Sequence, residues 1–370
     1  MRVLLAGYAA DRYISQHRYI AKTIEQKVLQ MNKAPTIAHD NAPSLTPLVT
    51  LLADDMEQVN AQIVARMASD VPLVPELAGH LIAAGGKRLR PLLTLAGARL
   101  AGGSPHAIGL ATAVEFIHSA TLLHDDVIDE SKLRRGHDTA NALWGNDASV
   151  LVGDFLFARA FELMVETDSL SVLGRLSNAS ARITEGEIKQ MTIAGVADTP
   201  AADYLDVIRN KTAILFAAAI AAGAEVAGAE KTVIEATHDY GLQLGIAFQI
   251  MDDAMDYSQS LAAMGKNRGD DCLDQKITWP MILAYGDGDD AERNFWHKTM
   301  RDGDFADGDF DKAHSILQRH NAIERSIAEA VTYASAAEAT MQRIAEQSKV
   351  DPTLLEALCE AARFAAHRQT

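Results

Sequence analysis

Two aspartate-rich runs with the same spacing are the residues of this chain best suited to chemistry. They are Asp125-Asp126-Val127-Ile128-Asp129 and Asp252-Asp253-Ala254-Met255-Asp256, both D-D-x-x-D, set 127 residues apart. On a helix, positions i and i+4 differ by about 40° around the axis, so Asp125 shares a face with Asp129, and Asp252 with Asp256. Like charges stacked in this way weaken a helix unless a cation sits between them. Hard carboxylate oxygens converging on a cavity suit Mg²⁺, which keeps several waters and completes its octahedron with substrate phosphate. One such run would read as solvated helix surface. Two runs, each continuing an apolar helix (Leu122-Leu123-His124 and Ala247-Phe248-Gln249-Ile250-Met251), point instead to a metal–diphosphate site.

Aspartates and metal alone bind diphosphate weakly, so cationic side chains must share the charge. Gly85-Gly86-Lys87-Arg88-Leu89-Arg90-Pro91 pairs a glycine turn with three cations and a proline that can open a helix. It is not a Walker P-loop, because the G-x-x-x-x-G-K-[ST] spacing is absent. Arg134-Arg135-Gly136 follows the first aspartate run; Lys211-Thr212, Lys266 and Lys276 flank the second. A lone Lys–Arg cluster is usually solvated surface, but several beside two carboxylate sets form a constellation. His118 precedes Asp125 by seven residues, about two turns, and on its own reads as a core histidine. A calcium-loop reading of Asp302-x-Asp304 fails, since Ala306 and Asp307 occupy the fifth and sixth loop positions.

The elements that position these groups read as helices. Seven of ten prolines lie in the first 105 residues, which leaves long proline-free blocks with apolar positions at helical spacing, such as Val114, Ile117 and Leu122. No strand-like alternation is sustained. Helices are expected from near Leu48 to the end, with a loop-containing connection over Gly286–Asp311. If both aspartate runs serve one site, they converge in a single helical domain, 45–370, behind an N-terminal extension, 1–44, expected to be poorly ordered. Residues 1–40 are basic and loosely amphipathic, compatible with a transit peptide except for Asp11 and Glu25, or with initiation at Met31.

Composition narrows the function classes. The chain has 370 residues, 48% hydrophobic and 23% charged, ample for a large soluble core. A net charge of -16 argues against nucleic acid as a partner, because phosphate backbones need clustered Lys and Arg. Two cysteines without metal-ligand spacing fit a reducing cytoplasm. The longest apolar stretch, Ala213 to Ala224, falls short of the roughly 20 residues of a membrane span, so no transmembrane segment is expected.

Taken in order, GGKRLRP at 85–91, EFIHSATLLHDDVIDESKLRRG at 115–136 and VLVGDFLFARAF at 150–161 resemble the trans, head-to-tail polyprenyl diphosphate synthases. Glu187-x-x-Gln190, Lys211-Thr212 and FQIMDDAMDY at 248–257 continue the match, which covers roughly residues 45–365. It is strongest toward long-chain bacterial members that make octaprenyl or decaprenyl diphosphate. The usual Glu-Gly-Lys-x-Thr-Leu-Pro is here Asp274-Gln275-Lys276-Ile277-Thr278-Trp279-Pro280, which keeps the lysine but alters the loop around it.

The resemblance implies an all-α, isoprenoid-synthase-type bundle around a deep cavity, and a homodimer. It implies that Lys87, Arg90, His118 and Arg135 bind isopentenyl diphosphate, and that Arg134, Lys211, Lys266 and Lys276 bind an allylic diphosphate. Three Mg²⁺ ions would be held by Asp125, Asp126, Asp129, Asp252, Asp253 and Asp256. Lys211, Thr212 and Gln249 would be catalytic, the latter two turning oxygen dipoles toward the allylic cation. Farnesyl diphosphate is the expected primer, quinone side chains the expected use, and peripheral membrane contact the expected route of product release. Ala120 and Thr121, small where short-chain relatives place an aromatic, imply an open tunnel and a long product. A shorter-chain synthase and a class I terpene cyclase are the alternatives; a cyclase needs neither GGKRLRP with His118 nor a second full D-D-x-x-D. A non-catalytic partner subunit would be expected to lose metal aspartates, and all six are present.

Overall fold

The computed structural model describes residues 42–83, 86–134, 136–257, 270–347 and 349–367; of the expected extension, residues 1–41 lie outside them. From Thr46 onward the described chain is helical apart from its connections and one short hairpin, Leu133–Arg134 antiparallel to His137–Asp138. The all-α expectation holds. Six long helices build the body: α1 (Leu89–Leu100), α2 (Ala107–Ile128), α3 (Asn146–Val165), α4 (Leu170–Ile193), α5 (Ile214–Val226) and α6 (Lys231–Asp256). Two more, α7 (Ala322–Gln347) and α8 (Pro352–His367), pack against α6.

Proline placement explains several helix starts. Helices Thr46–Leu51 and Trp279–Asp287 carry proline in their opening positions, where a missing N–H loses no intrahelical bond. The centre of the body is α5, buried at every position from Leu215 to Ala224 and packed on α1, α4 and α6. Small residues make that possible. A Cβ on Gly223 would fall 2.0 Å from the Thr94 carbonyl oxygen, and one on Gly97 would fall 2.0 Å from that of Ile220. Only glycine permits α1 and α5 to cross this closely.

Two sequence expectations can be set against the fold. By length and composition, Ala107–Ile128 and Ala201–Val226 could each cross a membrane, but 67% and 72% of their apolar windows are buried inside the bundle. They are core helices, whose hydrophobicity is spent on packing. The region 286–311 is mostly helical: Asp290–Trp296 runs into a π-helical turn, His297–Arg301, and Asp309–Arg319 follows. A reciprocal capping box between Asp289 and Glu292 starts this run, and a loop over 302–308, holding Asp302, Asp304 and Asp307, separates it from Asp309–Arg319. This region carries a second core cluster around Tyr257, Trp296, Met300 and Leu317.

Candidate active site

The first aspartate run sits at the C-terminal end of α2, with Asp129 as its capping residue. The Asp129 backbone N–H donates to the Asp125 carbonyl at 2.8 Å, which keeps the two residues one turn apart on one side. Asp126 faces elsewhere. It is 1% exposed, and its Oδ1 accepts from Arg134 Nε at 2.9 Å and Nη2 at 2.7 Å. Burial pushes the Asp125 carboxyl up to about 7; Lys211 pulls it back in part, while Glu187 and Asp129 push it further up. A partly desolvated carboxylate crowded by other carboxylates favours a bound cation.

The second run ends α6 and divides in the same way. Asp252 is exposed, and Asp256 Oδ2 accepts the Asp271 backbone N–H at 3.3 Å. Asp253 is 4% exposed and fully engaged by protein donors. Its Oδ2 accepts from the Tyr204 hydroxyl at 2.5 Å and the Trp279 backbone N–H at 3.1 Å; its Oδ1 accepts from Gln249 Nε2 at 3.0 Å. The six aspartates therefore differ in how far protein donors already occupy them. Protein donors hold Asp126 Oδ1 and both oxygens of Asp253, whereas Asp125 and Asp129 lie one turn apart on one side of α2 and Asp252 is exposed at the end of α6.

Lys276 ties the first run to the segment that follows the second. Its Nζ donates to Asp129 at 3.0 Å and Asp274 at 3.2 Å, while its backbone N–H donates to the Asp271 carbonyl at 2.8 Å. Burial alone would lower its pKa, but Asp129 and Asp271 outweigh it and the net shift is upward, so the ammonium stays charged. Gln275 beside it adopts a left-handed φ of 56°, a conformation suited to the glycine of the usual pattern.

Lys211 and Thr212 lie in a π-helical turn, Arg209–Ala213, directly before α5. Lys211 Nζ sits 2.5 Å from Glu187 on α4. Gly186 makes this approach possible, since a Cβ there would meet the Lys211 backbone nitrogen at 2.5 Å. Thr212 donates to Gln249 Oε1 at 3.0 Å.

The second cationic group gathers at the start of α1. Arg90 approaches His118 Nε2 to 3.2 Å and lies 4.2 Å from the Phe216 ring centroid; Lys87 lies 4.6 Å from that of Phe364. Arg88 is instead tied to Glu115 in a short ion pair, with a left-handed backbone at the α1 N-cap. Arg135 and Lys266 lie outside the described residues. Ala120 is fully buried, and the half-buried Thr121 donates to the His118 carbonyl at 2.8 Å. A cavity of about 320 Å³ lies between α4, α5 and α6, lined by Arg175, Ala179, Ile214, Ala218 and His238 among others.

Among the described residues no three His, Cys, Asp or Glu side chains are drawn into a ready-made metal cage. The donor chemistry nonetheless fits Mg²⁺: carboxylate oxygens from two helix ends, with room in the coordination sphere for water and phosphate. Sequence reasoning missed Tyr204, Glu187 as the partner of Lys211, and the aromatic rings beneath Lys87 and Arg90. The signal for Tyr204 was present, since it stands two turns before Lys211 on an apolar helix.

Comparison with known proteins agrees with this geometry. The Polyprenyl synthetase family pattern matches residues 71–317. Octaprenyl diphosphate synthase of Haemophilus influenzae is 42% identical over 283 residues, covering 76% of this chain and 85% of that one. A decaprenyl diphosphate synthase structure from Rhodobacter capsulatus superposes with a TM-score of 0.83 at 46% identity, covering 88% of this chain and 100% of the other. A polyprenyl synthase from Caulobacter crescentus, complexed with calcium and isoprenyl diphosphate, gives a TM-score of 0.84 at 47% identity, covering 89% and 99%. The chain belongs to the polyprenyl synthetase family.

Proposed function

We propose that the protein is a Mg²⁺-dependent prenyltransferase that adds isopentenyl diphosphate units to an allylic primer, farnesyl diphosphate, giving an all-trans product of octaprenyl to decaprenyl length. The observation that carries this reading is the presence of two separate groups of cationic side chains. Lys211, Lys276 and the outer aspartates form one; Lys87, Arg90 and His118 form the other. A reaction joining two diphosphates needs both. The octaprenyl, nonaprenyl and decaprenyl names of similar proteins support a long product.

Bound at Asp125, Asp129, Asp252 and Asp256, Mg²⁺ would supply Lewis-acid charge to the allylic diphosphate. Lys211 and Lys276 exchange their carboxylate partners for diphosphate oxygens and stabilise the charge that develops as the allylic C–O bond breaks. Thr212 and Gln249 turn oxygen dipoles toward the cation left behind. Lys87 and Arg90, with His118 and Arg135, hold isopentenyl diphosphate so that its double bond attacks that cation and a C–C bond forms. The proton then lost passes to the departed diphosphate. Apolar walls exclude the water that would otherwise capture the cation.

The reading includes a homodimer in a reducing cytoplasm. Along the exposed side of α4, Leu170, Gly174, Ala181, Thr184, Ile188 and Met191 form an uncharged stripe, and Leu151, Phe161 and Val165 of α3 add exposed apolar surface. Contiguous apolar patches of this kind mark association surfaces. Both cysteines are free and buried. Product release at a membrane surface completes the reading. The test is to incubate pure protein with Mg²⁺, labelled isopentenyl diphosphate and farnesyl diphosphate, and to size the products. A ladder ending at octaprenyl to decaprenyl length is expected. Arrest at farnesyl or geranylgeranyl length, or a cyclic hydrocarbon, would support the alternatives instead.

A further inference from the structure

We infer that Tyr204 is a positioning residue that, through Asp253, fixes the direction of the Gln249 and Thr212 dipoles. The inference rests on the proposed prenyl transfer and deepens it. Four groups form one directed chain. Tyr204 Oη and the Trp279 N–H both donate to Asp253 Oδ2, and Gln249 Nε2 donates to Oδ1. Gln249 turns its NH₂ group toward Asp253 Oδ1. Its carbonyl oxygen therefore faces Thr212, which donates its single hydroxyl proton to it. The lone pairs of Thr212 are left as the outward end of the chain, the polarity that stabilises a neighbouring cation.

Tyr204 is placed to hold this order. It is 2% exposed, and its ring packs against that of Trp279 at 5.4 Å between centroids. The Trp279 N–H is one of the donors that a helix N-terminus leaves without an intrahelical partner, and Asp253 satisfies it. One carboxylate thus joins three elements: the helix carrying Tyr204, α6, and the helix that follows Lys276. Rotation of Asp253 would release Gln249 and, with it, the direction in which Thr212 presents its oxygen.

The test compares wild type with Tyr204→Phe, which keeps the ring and removes only the hydroxyl, alone and combined with Thr212→Val. Tyr204→Phe is expected to lower kcat about tenfold, the scale of losing part of a preorganised dipole, with both KM values within about twofold. More primer should be released as alcohol for each condensation. In the Thr212→Val background the further loss should vanish, because the dipole it orients is gone. Unchanged kcat, an equal rise in both KM values, or full additivity would overturn the inference. Asp253→Asn provides a second arm: kcat should fall at an unchanged Mg²⁺ half-saturation, and a tenfold or larger shift would make Asp253 a ligand and sink the idea. A wild type that makes no polyprenyl product overturns the functional reading and this inference together. An active wild type with an indifferent Tyr204→Phe overturns only the inference.

Discussion

At the scale of single residues, neighbouring aspartates do different work. Asp125 is a half-buried carboxylate pushed up to about 7 by desolvation, whereas Asp126, one position on, accepts two hydrogen bonds from Arg134. Asp125→Ala should reduce turnover by about a thousandfold or more, because it removes charge stabilisation concentrated in the transition state. Its Tm should stay close to that of wild type, since no protein packing depends on the carboxylate. Asp126→Ala should lose about 2 kcal/mol of stability with its charge-assisted bonds, and activity should fall through displacement of Arg134. Thermal melts and steady-state rates on both variants check this. Equal behaviour of the two would show that the division drawn from their partners is wrong. The sequence could not make this distinction, because D-D-x-x-D spacing assigns faces of a helix but not donors from other elements. Arg134 lies beyond the helix end, and Tyr204 is 49 residues from Asp253.

At the scale of elements, the π-helical turn before α5 is the device that presents Lys211 and Thr212. A π turn inserts one residue into an α-helix and strands a carbonyl; here Asn210 Nδ2 donates to the Asp206 carbonyl at 3.0 Å. Deleting Asn210 should restore a continuous α-helix, with Ala201–Ile208 and α5 each keeping their packing faces. Lys211 and Thr212 would then be rotated by about 100° from their partners, so helical content should persist while turnover falls by about two orders of magnitude. Circular dichroism and rate measurements decide it; an active deletion variant would remove the role assigned to the turn. His238, beside the cavity between α4, α5 and α6, gives these elements a pH signature. Burial first and Arg175 second lower its pKa from 6.5, against Asp239. A base with a depressed folded pKa contributes stability that is complete above 6.5 and is lost as pH falls through the folded value. Wild-type Tm should therefore drop more between about pH 7 and pH 5.5 than that of His238→Asn, and parallel curves would refute it. Neither feature was legible beforehand. A π turn carries no sequence period of its own, and the groups facing His238 from α4 become neighbours only through packing.

At the scale of the whole molecule, the sequence was informative where local rules and the global fold agree. Helical spacing, proline placement and two acidic runs foretold an all-helical body with both aspartate runs at helix ends. The region 286–311 contains the expected loop over 302–308, but the helix Asp290–Trp296 before it was not legible, because Asp289 and Glu292 act as a reciprocal cap that single Gly and Asp residues do not announce. On the proposed reading the growing chain runs past α2, which would make product length a property of the whole bundle. Each added unit entering an apolar channel gains roughly 0.8 kcal/mol per buried carbon, so retention continues until the path closes. Ala120 and Thr121 differ in what they can tell about that path. Ala120 is packed with no exposed surface, so Ala120→Phe should cost about 1 to 3 kcal/mol of overpacking and couple any shortening to a lower Tm. Thr121 is half-buried, one turn before Asp125, with its hydroxyl bonded to the carbonyl of its own helix. Thr121→Phe can therefore add a ring beside the path without rebuilding the core. It should keep condensing isopentenyl diphosphate at a rate within about tenfold of wild type and stop at farnesyl or geranylgeranyl diphosphate. Chromatographic sizing of the dephosphorylated products distinguishes the outcomes. A full-length product from a well-folded Thr121→Phe would mean that the chain leaves the site by another route, past α5 rather than α2.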